Sequence, residues 1–156
     1  LNDVKLFLLT NATMLHRKEV QEALDVWDAA GGSLWAKLDA GDAEQYKLVN
    51  DAQMSFEKVC SNLHLATKRW RGIIQSMQMT WDGVAPTDQQ MQSWAAVVES
   101  LVSAGGAIEQ VQIYTIARAP ADPRCGPLTR AQLSQFEERI AHLDLPVLIA
   151  GSATES

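Results

Sequence analysis

The sequence has few cysteines, and the two that it has are far apart. Cys60 and Cys125 are the only thiols among 156 residues, and they form no CxxC pair. Small secreted domains held by disulfides are dense in cysteine, whereas cytoplasmic proteins keep a few reduced thiols. Cysteine usage therefore argues against a disulfide scaffold and predicts a cytoplasmic protein. Cys60 falls on the apolar face of a helical segment and is expected to fill the core, whereas Cys125 falls in a proline-rich loop and is expected to be exposed.

Long apolar runs and an excess of positive charge are also missing. No run approaches the ~20 residues that a membrane-spanning helix needs. The 13 lysines and arginines are scattered and outnumbered by 19 acidic residues, which gives a formal net charge of -6. Proteins that bind nucleic acids or acidic membranes carry a basic patch. We therefore expect no nucleic-acid partner and no membrane partner.

Several common catalytic and nucleotide-binding motifs are absent as well. The chain contains no GxSxG, no Walker A motif and no GxGxxG. Its three histidines are far apart and lack the spacing of metal ligands. The pairs Gly31-Gly32 and Gly105-Gly106 follow helical segments, which is typical of helix stops rather than of phosphate-binding loops. The sequence thus predicts no metal site and no catalytic residue of these kinds.

The residues that are present are typical of one ordinary folded domain. Hydrophobic residues make up 47% of the chain and charged residues 21%, which is a globular composition. A length of 156 residues fits one domain with a real core. We assign residues 1–150 to a single α/β domain and residues 151–156 to a polar tail.

Strand-like and helical segments alternate along the chain. Apolar runs typical of buried strands cover residues 4–9, 33–40, 71–80 and 108–117, and the segment PVLIAG near the end. Helical apolar spacing covers residues 17–30, 42–49, 55–68, 87–104 and 129–143, with capping boxes beginning at Thr87 and Thr129. Such alternation predicts an α/β fold with a parallel sheet and right-handed crossovers. The pattern leaves open whether the sheet is flat and doubly wound or curled as part of a barrel.

The stretch SLWAKLDAGD places two charges at the exit of a strand that reads as buried. Lys37 and Asp39 are two residues apart, so their side chains point to the same face of the strand. In parallel sheets, ligands bind at the carboxyl ends of the strands. Further polar residues gather near that edge of the predicted sheet: Asn11, Gln75, Gln112, Tyr114 and Arg118. Because a buried unpaired charge is costly, either an ion pair lines this edge or a polar small-molecule site lies there.

Four segments, in this order, resemble the later part of a radical S-adenosylmethionine (radical SAM) protein. They are LLTNAT, WAKLDAGDAEQYKLVN, IIQSMQMTWDG, and VQIYTIARAPADP followed by PLT. The resemblance covers residues 4–138. It implies an incomplete TIM-like (β/α)6 barrel, in which S-adenosylmethionine (SAM) and a [4Fe–4S] cluster are bound at the carboxyl ends of the strands.

The same comparison identifies what this chain does not carry. The family signature CxxxCxxC is absent, as is the GGE-like stretch that holds the amino group of SAM, and the usual TNG reads TNA at Thr10-Asn11-Ala12. An iron–sulfur cluster needs several thiolates, which Cys60 and Cys125 cannot supply. We therefore expect the chain to contain barrel strands three to six plus a terminal strand, with no cofactor of its own.

Two functions from different classes remain open. In the first, the chain is a fragment, inactive by itself, of a radical SAM-like enzyme whose intact parent binds SAM, the cluster and an unidentified substrate. The resemblance then implies that Asn11, Lys37 and Asp39 contact SAM. The residues implied to face the cofactor or the substrate are Gln75, Gln112, Tyr114 and Arg118. In the second, the chain is a non-catalytic α/β module that binds a small polar ligand or a protein partner at the same strand ends.

A barrel that begins at strand three leaves the strand at residues 4–9 with an unpaired apolar edge. Exposed edges of this kind pair with other chains. We therefore expect a homo-oligomer, joined through this edge or through the open mouth of the barrel.

Overall fold

Five parallel strands form the centre of the molecule. The computed structural model describes residues 4–50 and 53–151. In chain order the elements are β1 (Phe7–Thr10), α1 (Lys18–Ala29), β2 (Ser33–Lys37), α2 (Ala43–Asn50), α3 (Phe56–Arg69), β3 (Gly72–Met77), β4 (Thr80–Trp81), α4 (Asp88–Ser103), β5 (Ile108–Tyr114), β6 (Cys125–Gly126), α5 (Arg130–Ile140), a 3-10 turn (Ala141–Leu143) and β7 (Val147–Ala150). The predicted alternation of strands and helices is confirmed.

The strand order answers the question that the sequence left open. The sheet runs β1-β2-β3-β5-β7, with every neighbouring pair parallel. A doubly wound sheet reverses its strand order at a switch point, whereas this order advances in one direction only. Right-handed crossovers in one direction place all helices on one face, as in a (β/α) barrel. The fold is therefore part of an incomplete TIM-like barrel, as predicted.

The two faces of the sheet differ in how well they are covered. On the helix-covered face, Ala36, Ile74 and Val111 are 3%, 1% and 0% exposed. On the other face, Phe7, Leu9 and Leu148 are 49%, 58% and 44% exposed. Parallel strands are ordinarily buried on both faces. The second face, which we call the open face, is thus the inner surface of the partial barrel.

Local signals in the sequence fix the helix ends. Thr87 and Thr129 each accept a hydrogen bond through their side chain from the backbone N–H of the third residue of the helix. That residue is a glutamine in both helices, and its side chain accepts from the backbone N–H of the threonine. Both predicted capping boxes are therefore confirmed. Asp42 accepts from the backbone of Gln45 at 2.8 Å, but the Gln45 side chain accepts from the backbone of Gly41 rather than closing a box. The starts of α2, α4 and α5 are thereby satisfied, and all five helices begin within a residue of the predicted positions.

Three strands end earlier than predicted, at Lys37, Met77 and Tyr114. Side chains replace the strand ladder beyond these points: the Asp39 carboxylate accepts from the Met77 backbone at 2.8 Å, and the Thr115 hydroxyl accepts from the Leu128 backbone at 2.9 Å. Polar residues near the strand exits thus take over the backbone hydrogen bonds and end the sheet.

A short antiparallel pair, β4 with β6, lies outside the main sheet and was not predicted. It places Cys125 in a strand, half-buried, so the expectation of an exposed loop thiol was wrong. Cys125 is the register partner of Trp81 in this pair.

No helix within residues 4–50 and 53–151 is both long and apolar enough to cross a membrane. The predicted polar tail falls outside the described residues after Gly151. The assignment of residues 1–150 to one domain stays a prediction.

Candidate functional site

The open face carries a charged cluster at its carboxyl edge. The Lys37 ammonium donates to the Tyr114 hydroxyl at 2.7 Å and lies 3.3 Å from a carboxylate oxygen of Asp39. The Lys37 side chain is 23% exposed and that of Asp39 is 4% exposed. Lys37 and Tyr114 lie 77 positions apart in the sequence, and the adjacent strands β2, β3 and β5 bring them together. The ion pair predicted as one alternative is therefore present, and its lysine still reaches solvent.

The turn that follows β2 is held from two sides. The Leu38 carbonyl accepts from the Ser76 hydroxyl at 2.6 Å and from the indole of Trp94 at 3.2 Å. Asp39 is bound through its side chain to the backbone of Met77, on β3. Strand β3 and helix α4 thus fix the position of the Asp39 carboxylate before any ligand arrives.

Burial and charge act against each other in this cluster. Burial raises the pKa of Asp39, and the nearby Lys37 ammonium offsets only part of that effect. Burial by itself favours the neutral amine of Lys37, but the charge of Asp39 and the hydrogen bond to Tyr114 outweigh it, so the pKa of Lys37 is raised. Lys37 is therefore an ammonium ion at neutral pH, available to an anionic or hydrogen-bonding ligand.

Beside the charged cluster lies a pair of amides. Gln75 is 8% exposed and donates to the Gln112 side chain at 2.7 Å. Three buried polar atoms have no hydrogen-bond partner among the described residues: the Trp35 indole nitrogen, the Gln75 side-chain oxygen and the Asn50 side-chain oxygen. Buried polar groups are nearly always paired in folded proteins. On the strands, Trp35 and Gln75 thus carry buried hydrogen-bonding groups that no described residue uses.

The structure brings five of the seven predicted site residues together and leaves two outside. Arg118 is exposed and lines a cleft of about 560 Å³ together with Tyr114 and Met77, next to the cluster. The Asn11 side chain instead accepts from the backbone and the hydroxyl of Thr13, at 3.2 Å and 2.7 Å, which closes a local turn. Asn11 therefore stabilises the loop after β1, and within residues 4–50 and 53–151 its side chain forms no hydrogen bond with the other six.

Sequence reasoning missed Asn50 and Met79. Asn50 ends α2, and hydrogen bonding from its side chain lowers the pKa of Asp39. Met79 lines the cleft beside Tyr114. The sequence pattern did not indicate Asn50, because its spacing from the KLDAG segment follows no helical or strand period. Asn50 lies near the strand end only because helix α2 folds back towards it. The signal in the sequence that could have indicated this cleft wall is the pair of methionines in the segment SMQM, since methionine is common on adaptable binding surfaces.

The residues present do not fit an iron–sulfur cluster. No group of three histidine, cysteine or acidic side chains could hold a metal ion within residues 4–50 and 53–151. Cys60 lies on α3 and Cys125 on β6, and burial raises the pKa of Cys60 to about 11. Such clusters are held by several cysteine thiolates, and a buried thiol of high pKa is a poor ligand.

Two solved structures share this fold. A domain of pyruvate-formate lyase-activating enzyme from Bacteroides vulgatus matches with a TM-score of 0.69 and 16% identity, over 96% of this chain and 83% of that one. A radical SAM methyltransferase from Sphaerobacter thermophilus matches with a TM-score of 0.64 and 14% identity, over 92% of this chain but 39% of that one. No family model matches the chain, and no curated protein matches it. At these identities the likeness establishes the fold alone, and at that level it confirms the predicted resemblance to radical SAM proteins.

Proposed function

We propose that this chain is the carboxyl-terminal part of a radical SAM-like enzyme domain, whose open face binds SAM and a substrate in the intact protein. The observation that carries this proposal is the cluster of Lys37, Asp39 and Tyr114, held at the carboxyl edge of a partial barrel. Ligands of α/β barrels bind at this edge. The two solved structures with the same fold support it.

The polar groups of the open face fit the chemistry of SAM. Lys37 offers an ammonium to a carboxylate, Asp39 offers a carboxylate to an amino or hydroxyl group, and Arg118 adds an exposed cation at the cleft. When bound, SAM supplies an activated carbon–sulfur bond. The chain's own residues bind and orient it, and the fixed turn after β2 lowers the entropy lost on binding.

Binding of S-adenosylhomocysteine, an unreactive relative of SAM, tests this function. We expect calorimetry to detect binding to this chain, and we expect Lys37→Met to weaken it at least tenfold because one charged contact is lost. Lys68→Met, which removes an exposed lysine on α3, is the matched control and should bind as the wild type does. Undetectable binding, or equal affinity for both variants, would reject the assignment.

The chain should hold no [4Fe–4S] cluster when it is reconstituted with iron and sulfide. Cys60 and Cys125 lie on separate elements, and at least one further thiolate would be needed. Metal analysis and the visible absorption spectrum measure the outcome. Stoichiometric iron together with a broad visible band would contradict the expectation, and loss of both in Cys60→Ala would then identify a ligand.

We accordingly propose that this chain alone is inactive, that another segment supplies the cluster, and that the free thiols function in a reducing cytoplasm.

A non-catalytic binding module is the second candidate. It is favoured by the residues present, which do not fit an iron–sulfur cluster within the described part of the chain. The coding DNA upstream of Leu1 separates the two candidates. An in-frame CxxxCxxC about a hundred residues earlier, as expected for a domain of ordinary size, supports the enzyme.

We propose that the isolated chain self-associates through β1. Within the described residues this strand pairs only with β2, and Leu6 and Leu9 are 46% and 58% exposed. Light scattering should show a dimer or larger species that Leu9→Lys dissociates, since a charge blocks edge pairing. Val26→Lys, at an exposed valine on α1, is the control. A compact monomer at high protein concentration would contradict the proposal. Leu8→Lys is not a suitable test, because Leu8 packs against the core and its replacement would disturb the fold.

A further inference from the structure

The cleft beside Tyr114 adjoins the charged cluster at the carboxyl edge of the sheet. It has a volume of about 560 Å³, and we call it the side cleft. Tyr114 joins the cleft to the cluster, because it lines the cleft while its hydroxyl accepts from the Lys37 ammonium. Binding sites for small molecules commonly measure about 300 to 1,000 Å³. The side cleft is therefore large enough for a substrate that lies next to a ligand of the cluster.

Most of the side chains that line the side cleft are apolar. Val49 and Ile116 contribute aliphatic surface, and Met77, Met79 and Cys125 contribute sulfur-containing side chains. Met79 is 9% exposed, whereas Met77 and Cys125 are half-buried. Methionine adapts its shape to irregular partners, and burying apolar surface is favourable by about 25 cal/mol per Å². These walls favour a ligand with an apolar body.

Two charged side chains, Asp122 and Arg118, line the side cleft. Asp122 is already paired, because its carboxylate accepts from the Arg124 guanidinium at 2.6 Å and 3.1 Å. These hydrogen bonds lower the pKa of Asp122 to about 2. Arg118 has no such partner: among residues 4–50 and 53–151, the arginines that form ion pairs are Arg69, Arg71, Arg124 and Arg139. The side cleft therefore carries one positive charge that no described residue neutralises.

We propose that the side cleft binds a substrate with an apolar body and a single carboxylate, and that the carboxylate pairs with Arg118. This inference rests on the proposed function and names the class of substrate for the same open face. The planar guanidinium group binds a carboxylate through two parallel hydrogen bonds. A dianion would keep one charge without a partner, and an ammonium ion would be repelled by Arg118.

Three probes of one shape but different charge test the proposal. They are 3-phenylpropionate, 3-phenylpropanamide and 3-phenylpropylammonium, and the backbone resonances of Thr115 and Ile116, which line the cleft, report binding. We expect 3-phenylpropionate to bind with a Kd near millimolar, as befits about eleven non-hydrogen atoms. The amide should bind about fivefold more weakly, the upper end for an exposed ion pair, and the ammonium ion more weakly still. Equal affinity for all three probes, or no shift by 3-phenylpropionate at its solubility limit, would overturn the proposal.

A matched pair of variants tests the role of Arg118. Arg118→Gln removes the charge at an exposed position, and it should lower the affinity for 3-phenylpropionate to that of the amide while leaving the affinity for the amide unchanged. Arg17→Gln, the same exchange at an exposed position before α1, should leave both affinities unchanged. Equal binding of 3-phenylpropionate to Arg118→Gln and the wild type would overturn the proposal.

The two cysteines locate the bound probe independently. Cys125 lines the side cleft, whereas Cys60 lies on α3 outside its lining. Saturating 3-phenylpropionate should therefore slow the alkylation of Cys125 by N-ethylmaleimide and leave the alkylation of Cys60 unchanged. Mass spectrometry of the two peptides measures both rates. Alkylation of Cys125 at the same rate with and without the probe would place the binding elsewhere and overturn the proposal.

The inference and the proposed function fail separately. Binding of 3-phenylpropionate that depends on Arg118, without binding of S-adenosylhomocysteine, would reject the radical SAM assignment and leave the carboxylate site standing. Binding of S-adenosylhomocysteine that depends on Lys37, without binding of 3-phenylpropionate, would reject the carboxylate site alone. We expect the two ligands to bind together, since they use separate charges. Displacement of one by the other would show that Arg118 holds the carboxylate of S-adenosylhomocysteine, and it would overturn the inference.

Discussion

Replacing Lys37 by methionine is expected to lower the free energy of unfolding by about 3 kcal/mol, the lower end of the range for a broken buried ion pair. The lower end applies because 23% of the Lys37 side chain is exposed, whereas only 4% of the Asp39 side chain is. Without its partner, the Asp39 carboxylate stays buried and uncompensated. Denaturant unfolding of the variant and the wild type measures the difference.

A double variant tests whether the loss comes from an unpaired charge. Lys37→Met with Asp39→Asn removes both charges and keeps an oxygen to accept from the Met77 backbone, so it should be more stable than Lys37→Met alone. Lys68→Met, at an exposed lysine, should change stability by less than about 0.5 kcal/mol. Additive losses from the two single changes would show that Lys37 and Asp39 act independently.

The same pair gives a pH dependence with a definite sign. The pKa of Lys37 is raised, so the stability it contributes is present below the ordinary lysine pKa and is lost as the pH rises through the higher folded value. Burial raises the pKa of Asp39, so in Lys37→Met the destabilisation should shrink as the pH falls through that raised value and the carboxyl group takes up a proton. A difference in stability that is constant with pH would show that Asp39 is not the group left unpaired.

Signals that depend on near neighbours were predictable from the sequence. The capping boxes at Thr87 and Thr129 need only residues three apart, and both formed. The shared face of Lys37 and Asp39 follows from the two-residue period of a strand. Strand and helix alternation predicted the parallel sheet, because such sheets need crossover helices.

Features that depend on tertiary contacts could not be predicted from the sequence. Tyr114 becomes the hydrogen-bond partner of Lys37 only after three strands align in register. Asn11 looked like a site residue because it follows a strand, but a local turn with Thr13 uses its side chain. That Trp35 and Gln75 each keep a buried polar atom without a partner among the described residues is a result of packing, since a sequence does not state which buried groups remain unpaired.

Gly41 shows how a tertiary approach sets the position of the site. A Cβ atom at Gly41 would lie 2.1 Å from the Trp94 backbone nitrogen and 2.6 Å from the Trp94 Cα, which is helix backbone that cannot move aside. The glycine follows the turn that holds Asp39, and its own N–H donates to Gln45 at 3.1 Å. Close packing of the β2–α2 turn on helix α4 thus requires that this residue have no side chain.

Gly41→Ala is therefore expected to destabilise the fold by about 3 kcal/mol or more, at or above the upper end for overpacking. The added methyl group must push the turn after β2 away from α4, which breaks the bond from the Trp94 indole to Leu38. Gly83→Ala is the control: it meets no atom within 4 Å, and its φ of +75° should cost only about 1 kcal/mol. Denaturant unfolding gives both values, and the Trp94 indole resonance reports the broken bond. The prediction is contradicted if Gly41→Ala unfolds at the denaturant midpoint of the wild type and its Trp94 indole resonance does not move. The turn after β2 could then shift freely and would not hold Asp39 in place.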